Sequence, residues 1–223
     1  QQRFSQPRYR NPHMFRKELK VLDCTIRDGG LINNYQFSKD FVKAVYRATC
    51  DAAVDVVELG KKLEVSDEYT REKYGAWNFC DDDDLKEVID SYDSEYRPLV
   101  AVMYDVGRVD ISKLQQRDLG PIDMIRVACY VHQIDASNNL IKRDKDMGYE
   151  TTINIMAASA AIETELVEGL VEINKAEEVD YLYLVDSFGA FYSEQVTYYG
   201  EMYKRYAPDK ELGFHAHNNQ QLA

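Results

Sequence analysis

The chain has 223 residues, enough for one large domain with a substantial core. Apolar residues make up 45% and charged residues 30%, and the formal net charge is -12 at pH 7. That charge argues against a general binder of nucleic-acid backbones, which needs clustered Lys and Arg, and no apolar run approaches the roughly 20 residues that span a bilayer, so neither nucleic acid nor membrane is expected as a partner.

Residues 1–18 are rich in Arg, Pro and Gln and show no periodicity, so an extended or disordered leader is expected there, ahead of one domain over 19–223. The start is polar and basic with no apolar h-region, which predicts no secretory signal. Four cysteines (Cys24, Cys50, Cys80, Cys129) form no C-x-x-C pair; they read as structural thiols in a reducing cytoplasm.

From residue 20 a rhythm begins. Short apolar runs read as strands at 20–25, 54–59, 97–103, 124–130, 151–157, 181–185 and 211–215. Between them, helices are expected at 38–52, 82–92, 111–119, 133–147, 164–177 and 193–206. Ser38 stands where a helix cap belongs, and the acidic run Asp81 to Asp84 suits a helix start better than a metal cluster. Near-continuous apolar strands alternating with helices predict a parallel α/β fold. An open doubly wound sheet and a closed barrel both fit that pattern. A full (β/α)8 barrel usually takes about 250 residues. The expected fold is therefore a TIM (β/α)8 barrel truncated after strand seven.

Two motifs at opposite ends carry the chemistry. The first is Asp23-Cys24-Thr25-Ile26-Arg27-Asp28-Gly29-Gly30. Read as a strand end, it puts Asp23, Thr25 and Arg27 on one face and Asp28 at the C-terminal mouth, where barrel enzymes gather catalytic groups. Gly29 and Gly30 would turn the chain and leave room for a ligand. The second is Gly213-Phe214-His215-Ala216-His217-Asn218-Asn219, in which residues two apart on an extended segment project the same way. If the barrel closes, Asp28, His215 and His217 meet, and one carboxylate with two imidazoles is a divalent-metal set that leaves positions open for substrate. Glu58, Tyr104, Tyr130, His132 and Asp186 all sit at or just past strand ends and are the candidate substrate-contacting residues. For each of them the plainer account is a cap, a loop polar group or a salt bridge.

The segment Leu22 to Gly30 resembles the signature of the DRE-TIM metallolyases, the hydroxymethylglutaryl-CoA lyase-like superfamily. The segment from Gly213 is similar to that family's H-x-H motif, and Val185-Asp186-Ser187-Phe188-Gly189 also looks familial. The resemblance runs over about residues 20 to 223 and is strongest toward members like 4-hydroxy-2-oxovalerate aldolase. It implies that Asp28, His215 and His217 bind Mn²⁺ or Mg²⁺, with Zn²⁺ as a third choice, and that Arg27 and Asp28 are catalytic, Arg27 facing a developing enolate oxygen. The implied reaction makes or breaks a carbon–carbon bond next to the carbonyl of a 2-oxo acid such as pyruvate. Apart from the resemblance, a homodimer is the expected assembly because symmetric association is common. One position departs from the pattern. The family's aldolases carry a histidine base shortly after R-D-G, where this chain has Leu31-Ile32-Asn33-Asn34. The acid/base is therefore open, with Tyr104, Tyr130, His132 or a metal-bound water as substitutes. Competing readings are a Claisen-type acyl-CoA condensing enzyme, a metal-dependent barrel hydrolase, and a catalytically incomplete barrel that serves as a binding module.

Overall fold

A computed structural model describes residues 18–109, 111–217 and 219. The leader expected over 1–18 thus lies outside the described residues except at Glu18. Seven strands form one parallel sheet in sequence order: β1 (Leu22–Asp23), β2 (Val56–Lys61), β3 (Leu99–Asp105), β4 (Met124–Cys129), β5 (Glu150–Ile155), β6 (Tyr181–Asp186) and β7 (Glu211–Ala216). The helices are α1 (Thr25–Asn33), α2 (Lys39–Ala52), α3 (Arg71–Tyr74), α4 (Asp82–Asp90), α5 (Ile134–Asp146), α6 (Glu163–Lys175) and α7 (Ser193–Tyr206). Each neighbouring strand pair is parallel, and β1 and β7 are the two ends of the order. The sheet nevertheless curls so far that side chains near the ends of β1 and β7 touch, as Cys24 Sγ and His215 Nδ1 do at 4.0 Å. This is the TIM-barrel wall with seven strands, as the βα rhythm predicts.

Strand alternation splits the buried residues into two layers. Val57, Leu59, Val102, Tyr104, Ile125, Val127, Ile153 and Leu182 join the main core with Val42, Tyr46, Leu85, Ile141, Leu170, Ile173 and Tyr203 from the helices. Their alternates point into the barrel. A small apolar cluster of Val56, Ala101 and Met124 forms the floor. Above it the interior turns polar, with Glu58, Arg126, Thr152 and Asn154 all buried.

Two helix starts follow local chemistry visible in the sequence. Ser38 caps α2, its oxygen accepting from the Phe41 amide at 3.2 Å. Asp82 to Asp84 fill the first turn of α4, as expected from the dipole. They are also held by cations: Asp82 by Lys62 at 2.7 Å and Asp84 by Lys39 at 2.8 Å.

Three expectations need correction. The apolar run at 20–25 contributes only two strand residues, because the helix α1 begins at Thr25. Asp23 starts that turn, its carboxylate accepting from the amide and the hydroxyl of Thr25 at 3.1 and 2.9 Å. Arg27 and Asp28 therefore project from the first turns of a helix, not from a strand end. Gly29 and Gly30 make no turn either. The turn comes at Asn34 and Tyr35, both with positive φ (54° and 59°). Gly30 is instead the place where the Tyr35 ring lies against the helix, in space that a Cβ would fill. Finally, the segment 111–119 forms two short 3-10 turns, Ile111–Lys113 and Arg117–Leu119. Its backbone is tied elsewhere, the Arg117 amide donating to the Met147 carbonyl at 3.1 Å and Gln115 accepting from the Tyr149 hydroxyl, so an α-helical ladder cannot form.

Candidate metal centre

Asp28, in the first turn of α1, faces the end of β7. Its Oδ2 lies 3.2 Å from His217 Nε2 and 3.5 Å from His215 Nε2, and the two imidazole nitrogens are 3.3 Å apart. Donors bonded to one ion at about 2.1 Å stand about 3.0 Å apart at right angles and about 3.4 Å apart at the tetrahedral angle. The three separations here match one face of such a coordination shell, so these residues fit a divalent cation. His217 is oriented from behind: its Nδ1–H donates to the Asp186 carbonyl at 2.9 Å, which leaves the Nε2 lone pair aimed at Asp28.

Electrostatics favour the ligand form of the carboxylate. Burial alone would push the Asp28 carboxyl up, but the hydrogen bond with His215 and the adjacent Arg27 charge hold it well below the ordinary range. Cys24, Asp28 and His215 also offer donor atoms within 4.8 Å of one another. Burial, however, pushes the Cys24 thiol up to about 11, so the imidazole–carboxylate set is the stronger ligand group.

Beneath Asp28 and the two histidines runs a buried charge ladder. Arg27 donates from Nε to Glu58 Oε2 at 2.7 Å and from its other arm to Asp28. Arg126 donates to the same Glu58 oxygen at 2.6 Å and to Asn154 Oδ1 at 2.8 Å, and its guanidinium lies 4.6 Å over the Tyr183 ring. Glu58 is fully buried; burial disfavours its charge, yet the two guanidinium groups win and its carboxyl is pulled below the usual range. Two cations and two carboxylates, Glu58 and Asp28, balance. Adding a divalent ion makes the site net positive, which suits a small anion.

These groups open onto a cavity of about 250 Å³. Arg27, Asp28, His215 and His217 line it together with Lys61, Asp105, Arg126, Asn154 and Ser187; Leu31, Met103, Met156 and Val185 supply the apolar part.

No family model matches this chain. It is 27% identical over 207 residues to a 4-hydroxy-2-oxovalerate aldolase of Geobacillus thermodenitrificans (strain NG80-2), a match covering 93% of this chain and 58% of that protein. A 4-hydroxy-2-oxovalerate aldolase of Thermomicrobium roseum is 29% identical over 214 residues, with 92% and 55% covered. Among solved structures, the N-terminal domain of a protein assigned as an aldolase from Bacteroides vulgatus superposes with a TM-score of 0.73 at 28% identity, over 92% of this chain and 66% of that one. These likenesses support a DRE-TIM-like family. The carboxyl transferase domain of Rhizobium etli pyruvate carboxylase shares the fold at 13% identity (TM-score 0.67, covering 91% of this chain and 36% of that one). The chain spans less than two thirds of the curated relatives it matches.

Within the DRE-TIM-like frame, the sequence-derived residues fall into three groups. Arg27, Asp28, His215 and His217 converge on the cavity, and Glu58 sits directly under Arg27. Asp186 holds the loop after β6: its carboxylate accepts from the Ala190 and Phe191 amides at 3.0 and 3.1 Å, and its carbonyl orients His217. It is a positioning residue and does not line the cavity. The structure leaves three residues away. Tyr104 alternates with the cavity-lining Met103 and Asp105, so it points outward into the helix layer, where its hydroxyl meets Asp144 on α5. Tyr130 and His132 stack on each other at 5.8 Å beyond β4 and are not part of the cavity wall. Leu31, in the stretch where family aldolases carry their histidine, does line the cavity, with an apolar side chain. The sequence reading missed Lys61, Asp105, Arg126, Asn154 and Ser187. Alternation from Glu58 and Met124 would have flagged Arg126 and Asn154 as inward-facing once the strand register was known.

Proposed function

We propose that this chain carries the centre of a divalent-metal-dependent carbon–carbon lyase of the aldolase type, acting on a 2-oxo acid of the pyruvate class. The observation that carries the reading is the convergence of Asp28, His215 and His217, with donor atoms no more than 3.5 Å apart, beside the Arg27 guanidinium in one cavity. The relatives' shared name, 4-hydroxy-2-oxovalerate aldolase, supports a 2-oxo acid as the substrate class.

Asp28, His215 and His217 would hold Mn²⁺ or Mg²⁺, which supplies Lewis acidity toward the carbonyl and carboxylate oxygens of the substrate. Arg27 places a fixed charge where the carbonyl oxygen gains electron density as the neighbouring carbon–carbon bond breaks. Glu58 and Arg126 lock that guanidinium, so little reorganisation is needed when charge develops. Leu31, Met103 and Met156 keep part of the wall dry, which strengthens these interactions.

The test is metal binding followed by exchange of the pyruvate methyl protons in deuterated buffer. The chain should bind Mn²⁺ and promote exchange. Asp28→Asn should weaken Mn²⁺ binding by about 100-fold, and Arg27→Ala should slow exchange by about 100-fold with Mn²⁺ still bound. Tight Mn²⁺ binding without exchange would refute the lyase reading.

A further inference from the structure

We infer that Lys61, seated on Asp105, is the residue that moves the proton in this cavity; the inference rests on the lyase reading above. Aldol cleavage and condensation both need a group that takes and returns a proton at the reacting atoms. The stretch 31–34 offers none, and Tyr104, Tyr130 and His132 do not reach the cavity. Among the described residues that do, Arg27 and Arg126 keep their protons at any working pH. Asp28, His215 and His217 form the metal face. The Ser187 oxygen accepts from the Ala157 amide at 2.9 Å, which makes it a poorer proton acceptor. Lys61 and Asp105 remain.

The backbone is built to deliver Lys61. On the β2–β3 ladder Glu58 pairs with Ala101 and Lys61 with Met103, so three steps on β2 match two on β3. That is a β-bulge, which re-aims the side chains beyond it. Without the extra residue, alternation from Glu58 would turn Lys62 inward and Lys61 outward. Gly60 makes the bulge possible: its φ is +152°, and a Cβ there would collide with the Trp77 carbonyl and Cys80 Sγ. The two consecutive lysines then diverge. Lys62 turns away to Asp82 at 2.7 Å and the Cys80 carbonyl at 3.1 Å. Lys61 lines the cavity, its Nζ 3.5 and 3.4 Å from the two oxygens of Asp105. This contact is looser than the 2.6–2.7 Å bonds that lock Arg27 and Arg126 to Glu58, so a substrate oxygen can compete for the amine.

In the cleavage direction Lys61 first passes a proton to its partner Asp105, and the freed amine takes the proton of the substrate hydroxyl. The oxygen's electron pair forms the aldehyde carbonyl, the carbon–carbon bond breaks, and its electrons pass onto the 2-oxo acid carbonyl oxygen beside Arg27. The ammonium, held by Asp105, then returns the proton to the terminal carbon and yields the methyl group. Condensation runs the same steps backward, and the proton count closes without another reactant.

Two probe reactions separate this role from the rest of the site. Exchange of pyruvate methyl protons requires a proton acceptor. Release of CO₂ from oxaloacetate does not, because the bond that breaks is to a carboxylate and its electrons go to the same carbonyl oxygen. Both are measured with the Mn²⁺-loaded chain and corrected for free Mn²⁺. Lys61→Met and Lys61→Arg should each slow exchange by about 100-fold while protein-dependent CO₂ release stays within about threefold. Lys61→Arg matters because it preserves the ion pair with Asp105 but cannot give up its proton. Exchange that survives in Lys61→Arg would overturn the inference, as would exchange and CO₂ release falling together in both variants. A borohydride-stable pyruvate adduct on Lys61 would overturn it too, by showing an imine-forming amine. If the unsubstituted chain binds Mn²⁺ but promotes no exchange, the lyase reading itself fails and this inference falls with it.

Discussion

Arg126 and Val127 are neighbours on β4, equally buried, and their surroundings have almost nothing in common. Val127 faces the helices in a continuous apolar layer. Arg126 faces the barrel interior, where it is held by Glu58, Asn154 and the ring of Tyr183. The outer layer is stabilised by apolar area removed from water, at about 25 cal/mol per Å². The inner layer holds charges whose desolvation is offset only by their mutual pairing, an arrangement that is seldom a net source of stability. The contrast assigns the two faces different tasks: the outside keeps the strands in place, and the inside holds charges for use at the cavity.

This division can be broken from either side. The largest effect is expected from Glu58→Ala, which strands two guanidinium groups in the interior; unfolding in urea should show a loss of about 3–5 kcal/mol. Leu170→Ala, fully buried on α6, should cost about 3 kcal/mol by leaving a void in the outer layer, with Mn²⁺ affinity unchanged. A pH-dependent effect is expected where the outer layer holds the ionisable pair Tyr104 and Asp144. Burial pushes the Asp144 carboxyl up to about 7, against the pull of the Tyr104 hydroxyl. The folded chain therefore binds this proton more tightly than the unfolded one. Its contribution is fully present below about pH 4 and is lost as pH rises through about 7, with a total change of up to about 4 kcal/mol. Asp144→Asn removes that titration, so the stability difference between variant and parent should shift in the variant's favour between pH 4.5 and 7.5. A difference that stays constant across this range would show that Asp144 is ionised throughout.

Much of the outer face was legible in the sequence, because its signals are local. The apolar runs placed the strands β2 to β7 to within a few residues, and the helix at 193–206 matches α7 at both ends. The region after β1 was not legible. A nine-residue helix containing Gly29 and Gly30 has weak intrinsic propensity, and it is held by distant groups: Tyr35 against Gly30, and Glu58 on Arg27. The convergence of Asp28, His215 and His217 was readable from two motifs, since a carboxylate and an H-x-H pair announce themselves by residue type. Tyr104, Tyr130 and His132 lie off the cavity wall, because position past a strand end says nothing about which face a side chain takes. Lys61 was hidden for the opposite reason, since only the bulge at Gly60 reverses the face that its position implies.

The approach of Asp28 to His215 and His217 has a mechanical side as well. These residues belong to the first helix and to the seventh strand and the position just past it, which flank the seam of the curled sheet and stand far apart in sequence. An ion gripped by all three would act as a clasp across that seam, fastening the two ends of the wall and closing the longest loop in the molecule. Chelation should then loosen β7 first, so its amides would exchange with solvent sooner than those of β4 in the middle of the wall.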